Sequence, residues 1–287
     1  MAALGGHVKV PVPDGGGDGH DGGVAGDFGG EVAGFYARCR RGYPPAFVEL
    51  LAQALRLGRA DVVADVGCGT GQLTIPLAAR VRAVAGIDPE PAMLALAAQA
   101  AAGEQVANVT WVLGGDRDLP ALAGLLGEHA LAAVTIANAI HLMPHQQVFA
   151  TARRLLRPGG GLAVIANGTP LWQQPSGWSQ ALRRALERWL GTRLESCGGT
   201  DPQSRQRYHA ALAEAGFTGI SEEATDYTGH LSFEEVIGHL YSAMPSSLLP
   251  PPGRRAAFAA HIRDAIGPGP RFAEPVHVAA LIGRAPR

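Results

Sequence analysis

Residues 62–71 read Val-Val-Ala-Asp-Val-Gly-Cys-Gly-Thr-Gly: an apolar run meets an acidic residue and continues into a turn with glycine at three alternate positions. From Gln72 onward the apolar residues recur at helical spacing. This order predicts a buried strand, a tight turn and a helix N-terminus. Glycine lets a ligand approach the backbone closely, and the unpaired N–H groups of a first helical turn favour a carboxylate or another anion. The stretch therefore predicts a ligand-binding loop at the end of a strand.

The spacing of the glycines distinguishes two kinds of ligand. A dinucleotide-binding loop has the pattern G-x-G-x-x-G. Here Gly67, Gly69 and Gly71 alternate with other residues, and Asp65 stands two positions before the first glycine. This pattern resembles motif I of class I S-adenosylmethionine-dependent methyltransferases. The resemblance implies that these four residues bind the cofactor S-adenosylmethionine, whose product is S-adenosylhomocysteine. It also implies a Rossmann-like α/β fold, with a seven-stranded, mostly parallel sheet and helices on both faces.

The overall composition argues against several other classes of protein. The 287 residues include 24 Lys and Arg against 25 Asp and Glu, which gives a net charge of −1. This balance favours neither nucleic acid nor a membrane surface as a partner, and no apolar run has the length of a transmembrane helix. Three cysteines without a C-x-x-C pair support neither a disulfide framework nor a zinc site. We therefore expect a cytoplasmic monomer or homodimer that binds a small molecule and no metal.

Sequence patterns also divide the chain into segments. Residues 1–30 are rich in glycine and predict a disordered tail. Residues 31–168 alternate strand and helix patterns and predict the cofactor-binding core with an N-terminal helical lid. Two insertions, 169–202 after strand five and 229–272 after strand six, predict a helical cap. The rest of the core sheet is predicted in 203–228 and 273–287.

The segment that precedes the core contains an aromatic and arginine-rich motif. Around Tyr36 and Arg40 it is similar to the N-terminal segment of small-molecule methyltransferases of the ubiquinone-biosynthesis type, which folds over the cofactor. The resemblance implies that these two residues contact the methionine carboxylate, which a guanidinium can bind through two hydrogen bonds. Cys39 and Arg41 depart from the tyrosine and proline usual there. Tyr43 is a candidate for substrate binding. The alternative is a solvated basic helix face.

The ends of the second and third predicted strands hold the candidates for the adenosine part of the cofactor. The segment after the second strand resembles the family's D-x-S-x-x-M-L, which implies that Asp88 binds the ribose, with Pro89 beside it, and that Met93 lies along the adenine. The third strand leads to a segment similar to G-D-A-x-x-L-P, which implies that Asp116 and the backbone of Arg117 contact the adenine. Alternatively, Asp88 is a helix N-cap and Met93 a core residue.

The end of the fourth predicted strand faces the transferred methyl group. In open α/β sheets ligands bind beyond the carboxyl ends of the strands, where the strand order switches, and strands one and four flank that switch in this fold. The segment resembles the family's N-A-x-H-W-x-x, which implies that Asn138 contacts the cofactor. His141 is the candidate catalytic residue for proton transfer, since its ordinary pKa lies near neutrality. The alternative is a structural histidine that caps the next helix.

The second half of the chain does not follow the family pattern, so the acceptor is inferred from chemistry. Trp172 and the acidic residues Glu234 and Glu235 are candidates for substrate binding, because an acidic cap would attract a cationic acceptor. Solvated helix faces explain the acids equally well. An amine needs less help to lose its proton than an alcohol, which favours N-methylation of an amino sugar. The pattern resembles the aminoglycoside N-methyltransferases of antibiotic biosynthesis.

Other functions stay open on the sequence alone. In one alternative, the enzyme methylates an oxygen or a carbon atom of another secondary metabolite. A nicotinamide-dependent oxidoreductase would share the fold but should contain G-x-G-x-x-G. A noncatalytic nucleotide-binding protein would bind the cofactor without transferring a methyl group. A ribosomal-RNA methyltransferase would need a basic groove, which the charge balance does not favour.

Overall fold

The computed structural model describes residues 28–194, 199, 201–244 and 248–287. The disordered tail predicted for residues 1–30 lies outside the described residues, apart from residues 28–30. The strands are β1 (Val62–Val66), β2 (Ala83–Asp88), β3 (Val109–Leu113), β4 (Leu131–Ala137), β5 (Leu156–Asn167), β6 (Thr218–Leu231) and β7 (Phe272–Arg284). The helices are α1 (Glu31–Cys39), α2 (Pro45–Ala54), α3 (Thr74–Ala78), α4 (Pro91–Gly103), α5 (Leu119–Leu126), α6 (His145–Leu155), α7 (Gly177–Leu190), α8 (Pro202–Glu214), α9 (Phe233–Ala243) and α10 (Arg255–Ile266).

The seven strands form a single sheet in the order β3-β2-β1-β4-β5-β7-β6. The pairs among β1 to β5 are parallel, and β7 runs antiparallel to both of its neighbours, β5 and β6. The predicted Rossmann-like, mostly parallel sheet is therefore confirmed. β1 and β4 are neighbours at its centre, which brings the glycine turn and the end of β4 together at one edge.

The central strands are apolar throughout because both of their faces are covered. Val63 packs with the helices α2 and α3, whereas its neighbour Ala64 packs with α6 and α8 on the other face. Successive side chains of a strand point to opposite faces, so a strand buried on both sides reads as a continuous apolar run. The run that ends at Asp65 thus reflects the position of β1 between two helical layers.

A third apolar cluster lies outside the sheet and holds α7, α9 and α10 together. Helix α1 packs against α9: the rings of Phe35 and Tyr241 are 4.9 Å apart between centroids. A Cβ on Gly238 would lie 2.1 Å from the sulfur of Cys39, so the two helices approach closely at this point. A tyrosine at position 39 would not fit there, which accounts for one departure from the family pattern. The division into core and cap stays a prediction.

Two strands extend further than the sequence indicates. β5 begins at Leu156, whereas the sequence predicts a loop through Gly161 before the strand starts. β6 continues to Leu231, into the segment assigned to the cap, because it pairs with β7 as far as Phe272. Backbone pairing with a neighbouring strand overrides the local preference of glycine and proline for turns. Within the described part of the chain, no helix has the length and apolarity needed to cross a membrane.

Candidate active site

A pocket lies at the carboxyl edge of the sheet, between the glycine turn, the segment after α1 and the helix α9. Six residues that the sequence assigns to the site line it: Tyr36, Arg40, Tyr43, Asp65, Gly67 and Asn138. Seven further lining residues were not assigned to the site from the sequence: Arg41, Cys68, Gln72, Leu73, Ala137, Asn167 and His239. The structure thus brings the first, fourth and fifth strands and the two helices α1 and α9 to one place.

The glycine turn has a conformation that requires glycine at its first position. Gly67 has a φ of 69°, and a Cβ there would lie 2.5 Å from the Cβ of Ala139. Gly69 has a φ of 55°, and its amide donates to the carboxylate of Asp88 at 2.8 Å. Positive φ and close approach both exclude larger side chains. The turn is consequently held between the end of β4 and the end of β2.

Asp65 is a buried carboxylate held by two hydroxyl groups. It is 1% exposed, and it accepts hydrogen bonds from Oγ1 of Thr74 at 2.6 Å and Oγ1 of Thr135 at 2.7 Å. Burial raises its pKa to about 6, although the two hydroxyl groups act in the opposite direction. Asp65 is therefore mostly ionised at pH 7, and a cationic group in the pocket would stabilise that charge further.

Asp88 holds the glycine turn in place through a hydrogen bond to its backbone. Its carboxylate accepts from the amide of Gly69 at 2.8 Å and from the amide of Glu90 at 3.0 Å. The N-cap of α4 is Glu90, whose side chain accepts from the amide of Ala92, so Asp88 is not the N-cap. Burial raises the pKa of Asp88, and the two amides oppose this shift. Met93 is 3% exposed, as a core residue would be.

The third predicted adenosine contact lies beside Asp88. Asp88 pairs with Leu113 at the ends of β2 and β3, and Asp116 begins a 3₁₀ turn, Asp116–Asp118, just beyond. A Cβ on Gly115 would be 4.0 Å from the Cβ of Pro89. Arg117 is exposed. The side chains assigned to ribose and adenine therefore lie on adjacent strand ends, although they do not line the pocket described above.

The arginine assigned to the cofactor carboxylate lies in the pocket wall. Arg40 lies over the ring of Tyr36, 5.2 Å from its centroid, and its Nε donates to Oγ of Ser242 at 2.9 Å. Burial lowers the pKa of Arg40. It forms no ion pair with any described carboxylate. Arg40 is thus a partly buried cation rather than part of a solvated helix face, and it is available to an anionic group.

Arg41 belongs to a polar network that the sequence did not reveal. Its Nη1 donates to the backbone oxygen of Asn167 at 2.8 Å, and its Nη2 forms an ion pair with Glu274. Nε2 of Gln174 donates to the same Glu274 oxygen at 3.0 Å. Burial raises the pKa of Glu274, while Arg41 lowers it. Arg41 and Glu274 are 233 residues apart, and no local pattern links them.

Asn138 connects the ends of β4 and β5. It has a φ of 52°, a conformation that asparagine tolerates better than most residues. Its Oδ1 accepts from the backbone amide of Asn167 at 2.9 Å, and Nδ2 of Asn167 donates to the backbone oxygen of Gly42 at 3.1 Å. The two asparagines therefore fix the pocket wall at the two strand ends nearest the predicted methyl-transfer site.

His141 follows β4 in the 3₁₀ turn Ile140–Leu142 but does not line the pocket. It packs close to Gly199, where a Cβ would lie 2.9 Å from the Cβ of His141. Burial, reinforced by the positive charge of Arg40, lowers its pKa to about 4. The pKa near neutrality assumed from the sequence does not hold in the fold. His141 is uncharged at pH 7, and it is a weaker base than a solvated imidazole.

The predicted substrate residues occupy different environments. Glu234 and Glu235 are exposed in the first turn of α9, and the carboxylate of Glu235 accepts from the amide of Ser232 at 2.7 Å in a capping box. Trp172 is 9% exposed within the third apolar cluster, and its indole nitrogen has no hydrogen-bond partner among the described residues. Tyr43 lines the pocket. The structure does not bring the two glutamates to the pocket.

Comparison with known proteins connects this site with a family. Residues 63–160 match the family model described as a methyltransferase domain. An uncharacterized methyltransferase of Mycobacterium tuberculosis strain H37Rv is 30% identical over 208 residues, which span 72% of this chain and 73% of that protein. The chain belongs to the class I S-adenosylmethionine-dependent methyltransferases. Membership in this family rules out the nicotinamide-dependent oxidoreductase hypothesis.

Solved structures show the same methyltransferase fold. A putative methyltransferase of Bacillus halodurans has a TM-score of 0.54 and 17% identity, over 84% of this chain and all (100%) of that one. A putative type II methyltransferase of Anaeromyxobacter dehalogenans has a TM-score of 0.52 and 21% identity, over 86% of this chain and 97% of the other. At these identities the likeness concerns the fold alone.

The residues of this methyltransferase fit S-adenosylmethionine. Nε2 of Gln72, which lines the pocket, is buried and has no hydrogen-bond partner within the described ranges. Together with the guanidinium of Arg40 it offers two donors to a carboxylate. The glycine turn presents backbone without a Cβ where the methionine part would lie, and Asp88 offers acceptors to ribose hydroxyls. When bound, the cofactor supplies the electrophilic methyl group.

The raised pKa of Asp65 predicts a pH-dependent stability. The folded methyltransferase holds the proton of Asp65 up to about pH 6, whereas the unfolded chain loses it near the ordinary aspartate pKa of 3.8. Stability therefore falls as the pH rises from about 4 to about 6, by about 3 kcal/mol. Asp65→Asn removes this loss, so urea unfolding at pH 8 should show a more stable protein than wild type, with little difference at pH 4.

The exposed Asp226 provides the matched control for this measurement. Asp226→Asn is expected to leave the free energy of unfolding unchanged at both pH values, apart from its surface contact with His277. An equal effect of Asp65→Asn at pH 4 and pH 8 would contradict the assignment of a buried, protonatable Asp65.

Proposed function

We propose that this methyltransferase acts on a small polar acceptor and that the acceptor atom is the amine nitrogen of an amino sugar. The observation that carries the proposal is the polar character of the pocket wall. The wall contains Arg41 and Asn167, and Arg41 forms an ion pair with the buried Glu274. Such a wall suits a ligand with several hydrogen-bonding groups rather than a hydrocarbon.

Charge contributes less to this proposal than the sequence suggested. Glu234 and Glu235 lie on the surface, and the charge of Glu274 is paired with Arg41. The preference for nitrogen therefore rests on chemistry, because an amine gives up its proton at lower cost than an alcohol. The described residues contain no group of three or more His, Cys, Asp or Glu arranged to hold a metal that could activate an alcohol.

We assign the roles from the family resemblance together with the contacts described above. Arg40 and Gln72, with Tyr36, bind the methionine carboxylate, and Asp65 lies near the amino group. Asp88 binds the ribose; Pro89, Met93, Asp116 and the backbone of Arg117 surround the adenine. On the acceptor side are Tyr43 and Trp172, while Glu234 and Glu235 have no role in this assignment. We keep a cytoplasmic monomer or homodimer as the expected form.

Transfer of a tritiated methyl group from S-adenosylmethionine to a panel of amino sugars, glycosides and phenols tests the proposal. We expect label on the amino sugars, at nitrogen. Label on a glycoside or a phenol instead would favour the first alternative, transfer to oxygen or carbon. Binding of S-adenosylhomocysteine in calorimetry without transfer to any member of the panel would favour a noncatalytic binding protein.

The role in proton transfer that the sequence predicts for His141 has a separate test. His141→Ala should lower turnover about tenfold to a hundredfold while the affinity for S-adenosylhomocysteine stays the same, because the predicted role concerns the proton of the acceptor and not the cofactor. Since the pKa of His141 is about 4, the wild-type rate should show no titration of this group between pH 6 and pH 8. His209→Ala, an exposed position on α8, is the control. Unchanged turnover of His141→Ala would leave it a structural residue.

A further inference from the structure

The network around Glu274 joins three polar side chains from distant parts of the chain. Arg41 and Gln174 both donate to one carboxylate oxygen of Glu274, and Arg41 also donates to the backbone of Asn167. Glu274 is 2% exposed, Gln174 is 3% exposed and Asn167 is 6% exposed. The indole nitrogen of Trp178 donates to the backbone oxygen of Ala273 at 2.8 Å, which holds the start of α7 next to this network. The side chains of Arg41, Gln174 and Glu274 are thus directly connected, and Asn167 joins them through its backbone oxygen, beside the pocket.

This network has hydrogen-bonding capacity that the described residues do not use. Nε of Arg41, Oδ1 of Asn167 and Oε1 of Gln174 are buried without a partner. Such atoms are rare in folded proteins because each costs about 1–3 kcal/mol. Five of the nine buried, unpaired side-chain atoms found among the described residues fall in residues 172–179, the segment that carries Gln174. Their concentration points to a ligand that satisfies them.

The chemistry of the unpaired atoms selects the kind of ligand group. One is a donor, on Arg41, and two are acceptors, on Asn167 and Gln174. A carboxylate could satisfy only the donor, and an ammonium could satisfy only the acceptors. A hydroxyl group both donates and accepts. The pairing of Arg41 with Glu274 also leaves the network with no net charge, which favours a neutral ligand group.

The position of the network places it at the acceptor. Asn167 ends β5, beside Asn138 at the end of β4, and both asparagines line the pocket with Arg41. The glycine turn follows β1, which β4 separates from β5 in the sheet, and this is where the proposed function puts the methionine part of the cofactor. A ligand group bound by Asn167 and Arg41 would therefore adjoin the cofactor without competing for its carboxylate site.

We propose that Arg41, Asn167 and Gln174 form a subsite that binds neighbouring hydroxyl groups of a sugar or another polyol acceptor. The inference rests on the proposed function, because the subsite is defined relative to the cofactor. It goes further in assigning recognition to the hydroxyl groups of the acceptor, whatever nucleophilic atom receives the methyl group. The three side chains orient the acceptor and take no proton from it.

Ligand binding to the full chain tests this subsite without the need for turnover. Calorimetry with S-adenosylhomocysteine first measures cofactor binding. Methyl glucoside, glucosamine and cyclohexylamine are then titrated, with and without S-adenosylhomocysteine, and binding is followed by saturation-transfer NMR. We expect both sugars to bind and cyclohexylamine, which has the ring and the amine but no hydroxyl groups, to bind at least about tenfold more weakly.

Gln174→Met keeps the length of the side chain and removes its hydrogen-bonding groups. We expect this variant to bind both sugars about tenfold more weakly, with its affinity for S-adenosylhomocysteine unchanged. Gln180→Met is the matched control, since Gln180 is exposed on α7. Thermal unfolding shows whether each variant is folded. If Gln174→Met does not fold, the comparison of the three ligands on the wild-type protein still tests the subsite.

The outcomes separate the two proposals. Sugars that bind no better than cyclohexylamine to the wild-type protein overturn the subsite, as does a folded Gln174→Met that binds them like wild type. A loss of S-adenosylhomocysteine affinity in Gln174→Met would reassign the glutamine to the cofactor and also overturn it. Failure of the proposed function appears elsewhere, as an absence of S-adenosylhomocysteine binding in the first titration or an absence of label on the amino sugars in the transfer assay.

Discussion

Replacing Asp88 by alanine should weaken the binding of S-adenosylhomocysteine by about a hundredfold or more. The carboxylate of Asp88 accepts hydrogen bonds from the amides of Gly69 and Glu90, so its loss leaves two donors of the cofactor site without a partner. It also removes the predicted ribose contact. Hydrogen bonds to a charged group contribute about 1.5–3 kcal/mol each, and 1.4 kcal/mol corresponds to a tenfold change in affinity. Calorimetric titration measures the loss directly.

Two controls show which part of the effect belongs to the ligand. Asp226→Ala removes an exposed aspartate of β6 and should leave the affinity unchanged. The loss of affinity caused by Asp88→Ala should be smaller for an S-adenosylhomocysteine analogue that lacks the ribose hydroxyl groups. With this analogue the substitution removes only the hydrogen bonds that hold the turn, and no ribose contact. Near-wild-type binding by a folded Asp88→Ala would contradict both the ribose assignment and the role of Asp88 in the turn.

The second large effect is expected from a single methyl group at Gly67. Its Cβ would lie 2.5 Å from the Cβ of Ala139 and 3.1 Å from Cε of Met143, and the φ of 69° is unfavourable for alanine. Left-handed backbone costs about 1–2 kcal/mol for alanine, and overpacking of this kind costs about 1–3 kcal/mol more. Gly67→Ala should therefore lose about 3 kcal/mol of stability in urea unfolding and most of its affinity for S-adenosylhomocysteine.

The matched control is the same substitution where neither constraint applies. Gly103 ends α4, is exposed, and has nothing within 4 Å of the position of a Cβ. Gly103→Ala should be neutral or stabilising by up to about 1 kcal/mol, because alanine reduces the freedom of the unfolded chain. If Gly67→Ala unfolds and binds like Gly103→Ala, then the turn does not hold the cofactor as described.

Much of the cofactor side of the site was accessible from the sequence. The strand, turn and helix around Gly67, and the acid at the end of the second strand, are encoded within short stretches whose pattern dictates the backbone. Gln72, directly after the turn and two residues before α3 begins, could have been found by the same reasoning, since the first helical turn faces the ligand. Asn167, at the end of β5, also met the rule that ligands bind at strand ends.

The acceptor side was not accessible in this way. Arg41 was noted only as a departure from a family pattern, and its partner Glu274 lies on the last strand. His239 reaches the pocket because α9 packs against α1, which no local pattern reports. Conversely, the acids Glu234 and Glu235 looked like substrate contacts, but one of them caps its own helix and both are exposed.

The sequence by itself determined the fold class, the order of strands and helices in the core and the identity of the cofactor, because these depend on short-range patterns of glycine, acid and apolar residues. The tertiary structure decided which charges are buried, which are paired and which reach the pocket. Burial is the largest cause that shifts the pKa of Asp65 to about 6 and that of His141 to about 4, in opposite directions, because it disfavours the charged form of each. Such environments are created by residues that are distant in the chain, and they exist only once the chain has folded.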